Sequence, residues 1–400
     1  VSEVLKLPAY RRLLAAYALN ELAWAIGPLA LAVLVYRKTG SALGAAAFFL
    51  CTQFVPALIS PAVVARLDQR AARRVLPALY ALEGLLFLAL AFVTMNFVLV
   101  PVLVLVLADG IVALTARSLA RATTVSVTSP AGLLREGNAL TNGVFSVCYM
   151  LGPALGGVIV ATRGTDIALF INSGLFAAIA VTLATARSLP GAVRHPARSR
   201  GRFRAAVRHA RAVPAIRLVL GVQSLAVLVF TISIPVEVVF VQSSLRAGAA
   251  GYGALLSGWG GGALVGSMAY ARWRHSRSRT LIVCGAGAFG VGFVLMAIAP
   301  SIAVAVAGAA VAGAGNGIEV VSARTALQEH VEPEWMALIT SLNDSIFQAV
   351  PGAGILIGGA IAELAGPRAA LATAGAGSLL VAATAWVVLS PRARILGAPL

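Results

Sequence analysis

The sequence predicts an all-α integral membrane protein of twelve transmembrane helices, and three observations carry that reading. Of the 400 residues, 60% are hydrophobic and 11% charged, with a mean hydropathy of +0.92. A water-soluble domain carries about a quarter of its residues as charges, so this chain lacks the side chains to cover a wet surface. The apolar residues fall in runs of about twenty, the length that crosses a hydrocarbon core of about 30 Å at 1.5 Å per helical residue. The basic residues, which set the formal net charge of +17, cluster in short groups between those runs, as topology signals do. That placement argues against a nucleic-acid surface, which needs a contiguous basic face with interleaved aromatics.

The twelve runs lie at 11–36, 42–64, 75–96, 98–120, 138–161, 166–187, 215–241, 250–271, 281–299, 301–324, 336–361 and 367–390. The first holds Asn20, Glu21 and Trp24; the second Cys51 and Gln53; the third Glu83; the fourth Asp109 and Arg117. The fifth holds Asn142, Cys148 and the stretch Gly152 to Gly157, and the seventh Gln223. In the ninth, Gly285 to Gly290 spells G-x-G-x-x-G, but no strand precedes it and no acid follows about twenty residues on, so it reads as helix packing. The tenth holds Glu319 and Arg324, the eleventh Asn343, Asp344 and Gln348. Glycine and proline recur throughout, which helices in lipid tolerate because neighbours satisfy the freed backbone groups.

An internal N-terminus places 23 basic residues on the cytoplasmic side and five outside. The asymmetry predicts both termini inside, and an even number of spans agrees. The one long polar connection, Leu189 to Val213, carries seven arginines and reads as a linker or an amphipathic helix on anionic headgroups. It divides the chain into bundles at 1–188 and 214–400, with 189–213 as the basic cytoplasmic linker. The halves echo each other: Thr115-Ala116-Arg117-Ser118 recurs as Ser322-Ala323-Arg324-Thr325, and Gly156-Gly157 as Gly358-Gly359. Such internal similarity points to parallel repeats around a central path.

Pro153 has no N–H, so the fifth helix can bend there. Gly152 and Gly156, four apart, form a stripe that another helix can approach closely, with Gly157 beside it. A bend beside a close contact suits a helix that rocks between two states; ordinary packing is the plainer alternative. In the loop after the second run, Arg70, Arg73 and Arg74 are what topology asks for, and Asp68 is the informative member, a candidate for an ion pair that forms in one state only.

A charge at the centre of a membrane helix costs ~2.5–3.5 kcal/mol even on the lenient insertion scale. Desolvation disfavours the ionised form of a carboxylate, so an acid at that depth can take up and release a proton. Glu21 and Asp109 are the first proton-coupling candidates, followed by Asp344 and Glu319. Asp109 and Arg117 are eight apart and face different ways; their partners must come from other helices. Glu237 and Glu363, near the outer ends, can simply meet water. Asn20, Trp24, Gln53, Arg117, Asn142, Gln223, Asn343 and Gln348 lie at depths where they either contact a substrate or tie helices together. There is no Walker A sequence, no Ser-His-Asp set and no metal motif. Neither an enzyme nor a bound cofactor is expected.

On these residues the chain resembles the major facilitator superfamily, and its drug and siderophore exporter branch in particular. Leu151-Gly152-Pro153-Ala154-Leu155-Gly156-Gly157 resembles the G-P-x-x-G-G motif of antiporters. Ala65 to Arg74 resembles the loop signature G-x-L-A-D-R-x-G-R-R: Asp68, Arg73 and Arg74 match, while Val64, Gln69 and Ala71 depart from it. Arg117 resembles the arginine of the fourth span. The resemblance implies two pseudo-symmetric six-helix bundles, alternating access, and a monomer in the inner membrane that exports a small organic molecule in exchange for protons. Its partners would be that solute, protons and lipid. A facilitator or importer of a metabolite on the same fold, and a non-transporting sensor or lipid-handling protein, are the alternatives.

Overall fold

The computed structural model describes residues 3–67, 72–186, 189, 207–273, 278–331, 335, 339, 342–343 and 346–389. Helix α1 (Pro8–Thr39) begins on a proline, whose missing N–H is an orphan in any first turn, and stops at Gly40. Gly40 takes φ 64° and returns its N–H to the Tyr36 carbonyl, a left-handed cap that suits a residue without Cβ. Helix α2 (Ala42–Phe49) passes through a π-helical turn, Leu50–Phe54, into α3 (Val55–Leu67). The cause is Pro56, which offers no N–H to the Thr52 carbonyl; the ladder is reset one residue wider, with the Val55 N–H on Leu50 O.

There follow α4 (Ala72–Met95), α5 (Leu99–Thr128), α6 (Leu134–Arg163), α7 (Thr165–Ala184) and α8 (Pro214–Val239), which runs into a second π turn, Phe240–Ser244. Then come α9 (Gly248–Arg272), α10 (Ser278–Ile298), α11 (Ile302–His330), α12 (Pro351–Ala365) and α13 (Pro367–Val388). Among the described residues, eleven helices are long and apolar enough to cross a membrane, against the twelve predicted. The run at 250–271 is helical as α9, but eight glycines in its 25 residues hold its hydropathy down. The run predicted at 336–361 is described as a span only over Ile346–Ala365. Large apolar side chains such as Leu85, Phe92, Val100, Val104, Leu364 and Leu380 stand exposed on the helices. That surface is what a hydrocarbon solvent selects and water does not.

The chain forms two compact units. The first comprises Val1–Gly40, Ala47–Pro196 and Ala247–Ser257; the second, Ser41–Ala46, Ala197–Arg246 and Gly258–Leu400. Within the first, α1 packs on α6 and α7, α4 on α5 and α7, and α3 on α5. Within the second, α8 packs on α12 and α13, and α10 on α11 and α13. The pairings recur six spans later along the chain.

The second unit is held together by near-absent side chains. Along α9, Gly258, Gly262 and Gly266 meet Val306, Ala310 and Ala314 of α11, and Gly313 and Gly317 of α11 return the fit against Trp259 and Ala263. A Cβ at Gly262 would land on the Ala310 carbonyl oxygen. Gly285 faces Gly315 of α11, and Gly290 faces Gly375 of α13, so the G-x-G-x-x-G stretch is a packing surface, as expected. With no hydrophobic drive between helices in lipid, close van der Waals contact of this kind is the main source of cohesion.

Polar groups in the second unit close helix ends. Glu363 of α12, exposed as expected, also accepts at Oε2 from the Ala42 N–H (2.6 Å), the Leu43 N–H (3.3 Å) and the Ser41 hydroxyl (3.1 Å). Ser41 Oγ takes the next orphan donor, the Gly44 N–H, at 3.2 Å. The first turn of α2 is thus satisfied from its own N-cap serine and from a carboxylate placed where the helix dipole favours it. Glu237, by contrast, is buried rather than wet, accepting from Ser233 at 3.1 Å. Arg368 of α13 donates to the Ala297 and Ala299 carbonyls at 2.7 and 2.8 Å, closing the C-terminal end of α10.

Two substitutions test these contacts. Glu363→Ala removes the cap on α2 and is expected to cost about 1 kcal/mol. Gly262→Val forces α9 off α11 and is expected to cost about 1–3 kcal/mol. Thermal denaturation of the purified protein in detergent reads both; an unshifted midpoint for Gly262→Val would show that the seam is not close-packed.

Candidate functional site

The first unit carries a set of ionisable groups with no part in closing helix ends. On α1, Tyr17, Glu21 and Trp24 follow at four- and three-residue spacing and share one face. On α5, Arg117 meets that face: its guanidinium forms an ion pair with the Glu21 carboxylate and lies 4.5 Å from the centre of the Trp24 ring. The Glu21 side chain is 6% exposed and that of Arg117 26%. Tyr17 and Arg121, one turn further along each helix, lie within electrostatic reach of the pair. A planar guanidinium that pairs with a carboxylate while stacking on an indole suits arginine and not lysine.

Beside this clamp lies a hollow of about 20 Å³, room for a water molecule and not for an organic solute. Its wall includes Trp24, Gln53, Phe87, Asp109, Gly110 and Phe176. Local sequence explains how those residues meet. The π turn forced by Pro56 contains Gln53 and re-aims it. Gly110 lets α5 come close to that turn, where a Cβ would stand 2.6 Å from the Pro56 ring and 2.8 Å from the Thr52 carbonyl oxygen. Asp109 therefore reaches the hollow next to Gln53. Among the described residues its buried Oδ1 has no hydrogen-bond partner.

Behind the wall is Glu83 of α4, which is completely buried. Tyr80, Glu83 and Phe87 lie on one face of α4, and the two rings stack on Phe176 of α7 at 6.4 and 5.4 Å. Neither carboxylate oxygen of Glu83 has a partner among the described residues, and its electrostatic neighbours are Asp109 and Arg117. Asn172 of α7 is also fully buried with no amide partner among those residues, packed where Gly27 of α1 leaves space. Together the groups can hold fixed charge, exchange protons and orient a polar solute at the depth of the membrane. Among the described residues, no three His, Cys, Asp or Glu side chains are placed to bind a metal ion.

The model of one protein family, described as transmembrane secretion effector, matches residues 130–394. The chain belongs to that family. It is a membrane-spanning transporter of the major facilitator superfamily. Solved structures share the fold at low sequence identity. The nucleoside transporter NupG superposes with a TM-score of 0.77 at 12% identity, over 96% of this chain and 99% of its own. A bacterial homologue of the iron transporter ferroportin, in an inward-facing state, gives 0.75 at 13%, over 96% and 98%. A bacterial homologue of the human lysosomal transporter Spinster gives 0.72 at 13%, over 95% and 97%. No curated protein sequence matches the chain.

In this transporter the structure gathers some of the sequence-selected residues and scatters others. Glu21, Trp24, Gln53, Asp109 and Arg117 come together in the first unit. Asn20 is buried on α1, with its Oδ1 unpartnered among the described residues. Gly152 and Gly156 of α6 press against Ala25 and Ile26 of α1, and Gly157 against Ala249 and Gly253 of α9, while the Ala154 N–H donates to Ser257 Oγ at 3.0 Å. Asn142 of α6 is exposed, and so is Gln348. In the second unit, Gln223 and Asn343 are buried, each with an unpartnered side-chain oxygen among the described residues. Glu319 sits half-buried on α11 against Gly285. Arg73 and Arg74 are exposed at the start of α4. Asp68, Arg70, Asp344 and most of the 189–213 linker lie outside the described residues.

Sequence reasoning placed Glu83 in the third span without ranking it among the proton-coupling candidates, and passed over Asn172. The signal for Glu83 was present: an acid between Tyr80 and Phe87, on the face where a core residue belongs. Asn172 offered none, since its burial depends on a glycine in another helix.

The Glu21–Arg117 pair makes a test of its own. Removing one member leaves a buried charge without a partner, a loss of about 3–5 kcal/mol, whereas removing both is far milder. Glu21→Gln is therefore expected to lower thermal stability sharply and Glu21→Gln with Arg117→Gln to restore most of it. Additive losses in that double-mutant cycle would mean the pair is not coupled.

Proposed function

We propose that this transporter is a secondary active exporter that moves a small organic solute across the cytoplasmic membrane in exchange for protons, by alternating access. The observation that carries the proposal is the placement of Asp109, Glu21 and Arg117. They stand inside a membrane-embedded bundle, where each charge is costly and packing would be better served by leucine. The secretion-effector family description and the Gly152–Gly157 stretch favour the outward direction. In that stretch Pro153 lets α6 bend, and Gly152 and Gly156 bring it against α1, the helix that carries Glu21 and Trp24. Motion of α6 would thus be felt at the clamp. Positive-inside charge supports cytoplasmic termini.

Trp24, Phe87 and Phe176 beside Asp109 offer aromatic faces and one carboxylate, suited to a solute with a flat apolar body and a polar or cationic group. The hollow has room for no more than a water, so solute binding requires α1, α5 and the α2–α3 kink to separate further.

A resistance and transport screen in inside-out vesicles tests the reading. Export is expected to collapse on addition of a proton uncoupler, and Asp109→Asn is expected to lower it at least tenfold while protein level and thermal stability hold. Uptake that persists with the gradient discharged would favour a facilitator. Binding of lipid with no solute movement would favour a lipid-handling protein.

A further inference from the structure

We infer that Glu83 is a proton-binding site, and that Glu83 and Asp109 work as a pair that holds a proton in place of two negative charges. The inference deepens the proton-coupled reading above and rests on it for its purpose, but not for its chemistry.

Glu83 cannot be read as a structural acid. Other acids in this chain have visible partners: Glu363 caps α2, Glu237 takes a serine hydroxyl, and Glu21 pairs with Arg117. Glu83 is the most deeply placed of them, fully buried, with both oxygens unpartnered among the described residues. An isolated carboxylate in such surroundings costs far more than any packing contact returns, and the group neutralises instead. Among the described residues the cation near it is Arg117, already engaged by Glu21 and by the Trp24 ring. The other near charge is Asp109, of the same sign. Two carboxylates that feel each other in a dry site do not both ionise; they share protons as a unit.

The location gives the pair a route. Phe87 is four residues from Glu83 on α4 and lines the hollow together with Asp109, Gln53 and Trp24. Asp109 faces the hollow, whereas Glu83 lies behind the aromatic wall formed by Phe87 and Phe176. A proton arriving by the hollow reaches the Asp109 carboxylate first, and Glu83 is the inner member that stores it. Proton binding forms one O–H bond and removes one negative charge, with no other reactant needed. Loss of that charge also frees Arg117 from the pull of the Glu83–Asp109 pair, which couples proton occupancy to the clamp on α1.

Infrared spectroscopy of the full-length protein in lipid nanodiscs tests this without a substrate. Wild type at neutral pH is expected to show the carbonyl stretch of a neutral carboxylic acid, absent in Glu83→Gln and displaced in Asp109→Asn. Glu3→Gln, a change at an exposed acid paired with Lys6, should leave the band as it is. A band that survives Glu83→Gln unchanged, or one indifferent to Asp109→Asn, overturns the assignment. Should Glu83→Gln not fold, Glu83→Asp keeps the carboxyl and is expected to keep a displaced band; its disappearance would count against the proposal. Uncoupler-insensitive transport together with the Glu83 band would sink the exporter reading alone. Proton-coupled export without the band would sink only the role given to Glu83.

Discussion

Hydrocarbon offers no hydrogen bonds and little reason for one apolar helix to seek another, and both facts are written into this molecule. Every described span is helical because only a helix satisfies its backbone internally in lipid. Cohesion then comes from close approach, which is why α9 and α11 meet through Gly258, Gly262, Gly266, Gly313 and Gly317. At two helix ends in the second unit a side chain takes up the loose backbone groups: Glu363 and Ser41 at α2, Arg368 at α10. Under the same constraint a polar atom with no such task stands out. The oxygens of Glu83, Asp109 and Asn20, unpartnered among the described residues, stand out for that reason.

Much of this was legible in the sequence, because run length and charge placement depend on the solvent rather than on neighbours. The spans, the packing role of Gly285 to Gly290 and the need of Arg117 for a partner on another helix follow from local arithmetic. The partner itself did not, since Glu21 and Arg117 are 96 residues apart and meet only through the packing of α1 near α5. Gln53 was selected for its polarity, but its place beside Asp109 depends on a π turn that Pro56 causes and Gly110 accommodates. Glu363 is exposed as expected, but its part in capping a helix more than 300 residues earlier was not legible. Glycine content sets α9 apart: the predicted run is helical, but its eight glycines lower its hydropathy while Gly253, Gly258, Gly262 and Gly266 serve close contact.

The two units share a pairing order and differ in chemistry. In the first, aromatic rings and charges are interleaved: Trp24 under Arg117, Phe176 against Tyr80 and Phe87 around Glu83. In the second, the aromatic rings of Phe230, Phe289 and Phe293 pack on one another, Phe230 also on Trp259. Among the described residues of the second unit the interior acids are single: Glu237 is held by Ser233, and Glu319 sits beside a glycine seam. Charges that act on one another through a dry interior must be near neighbours, because the interaction falls with distance while the desolvation penalty of each does not. Among the described residues the first unit meets that condition, with three acids and an arginine contributed by α1, α4 and α5. Such a cluster cannot change one member's charge without altering the forces on the other three. A proton taken up at Asp109 or Glu83 is therefore felt at the Arg117 clamp and along α1, the helix against which Gly152 and Gly156 of α6 are pressed.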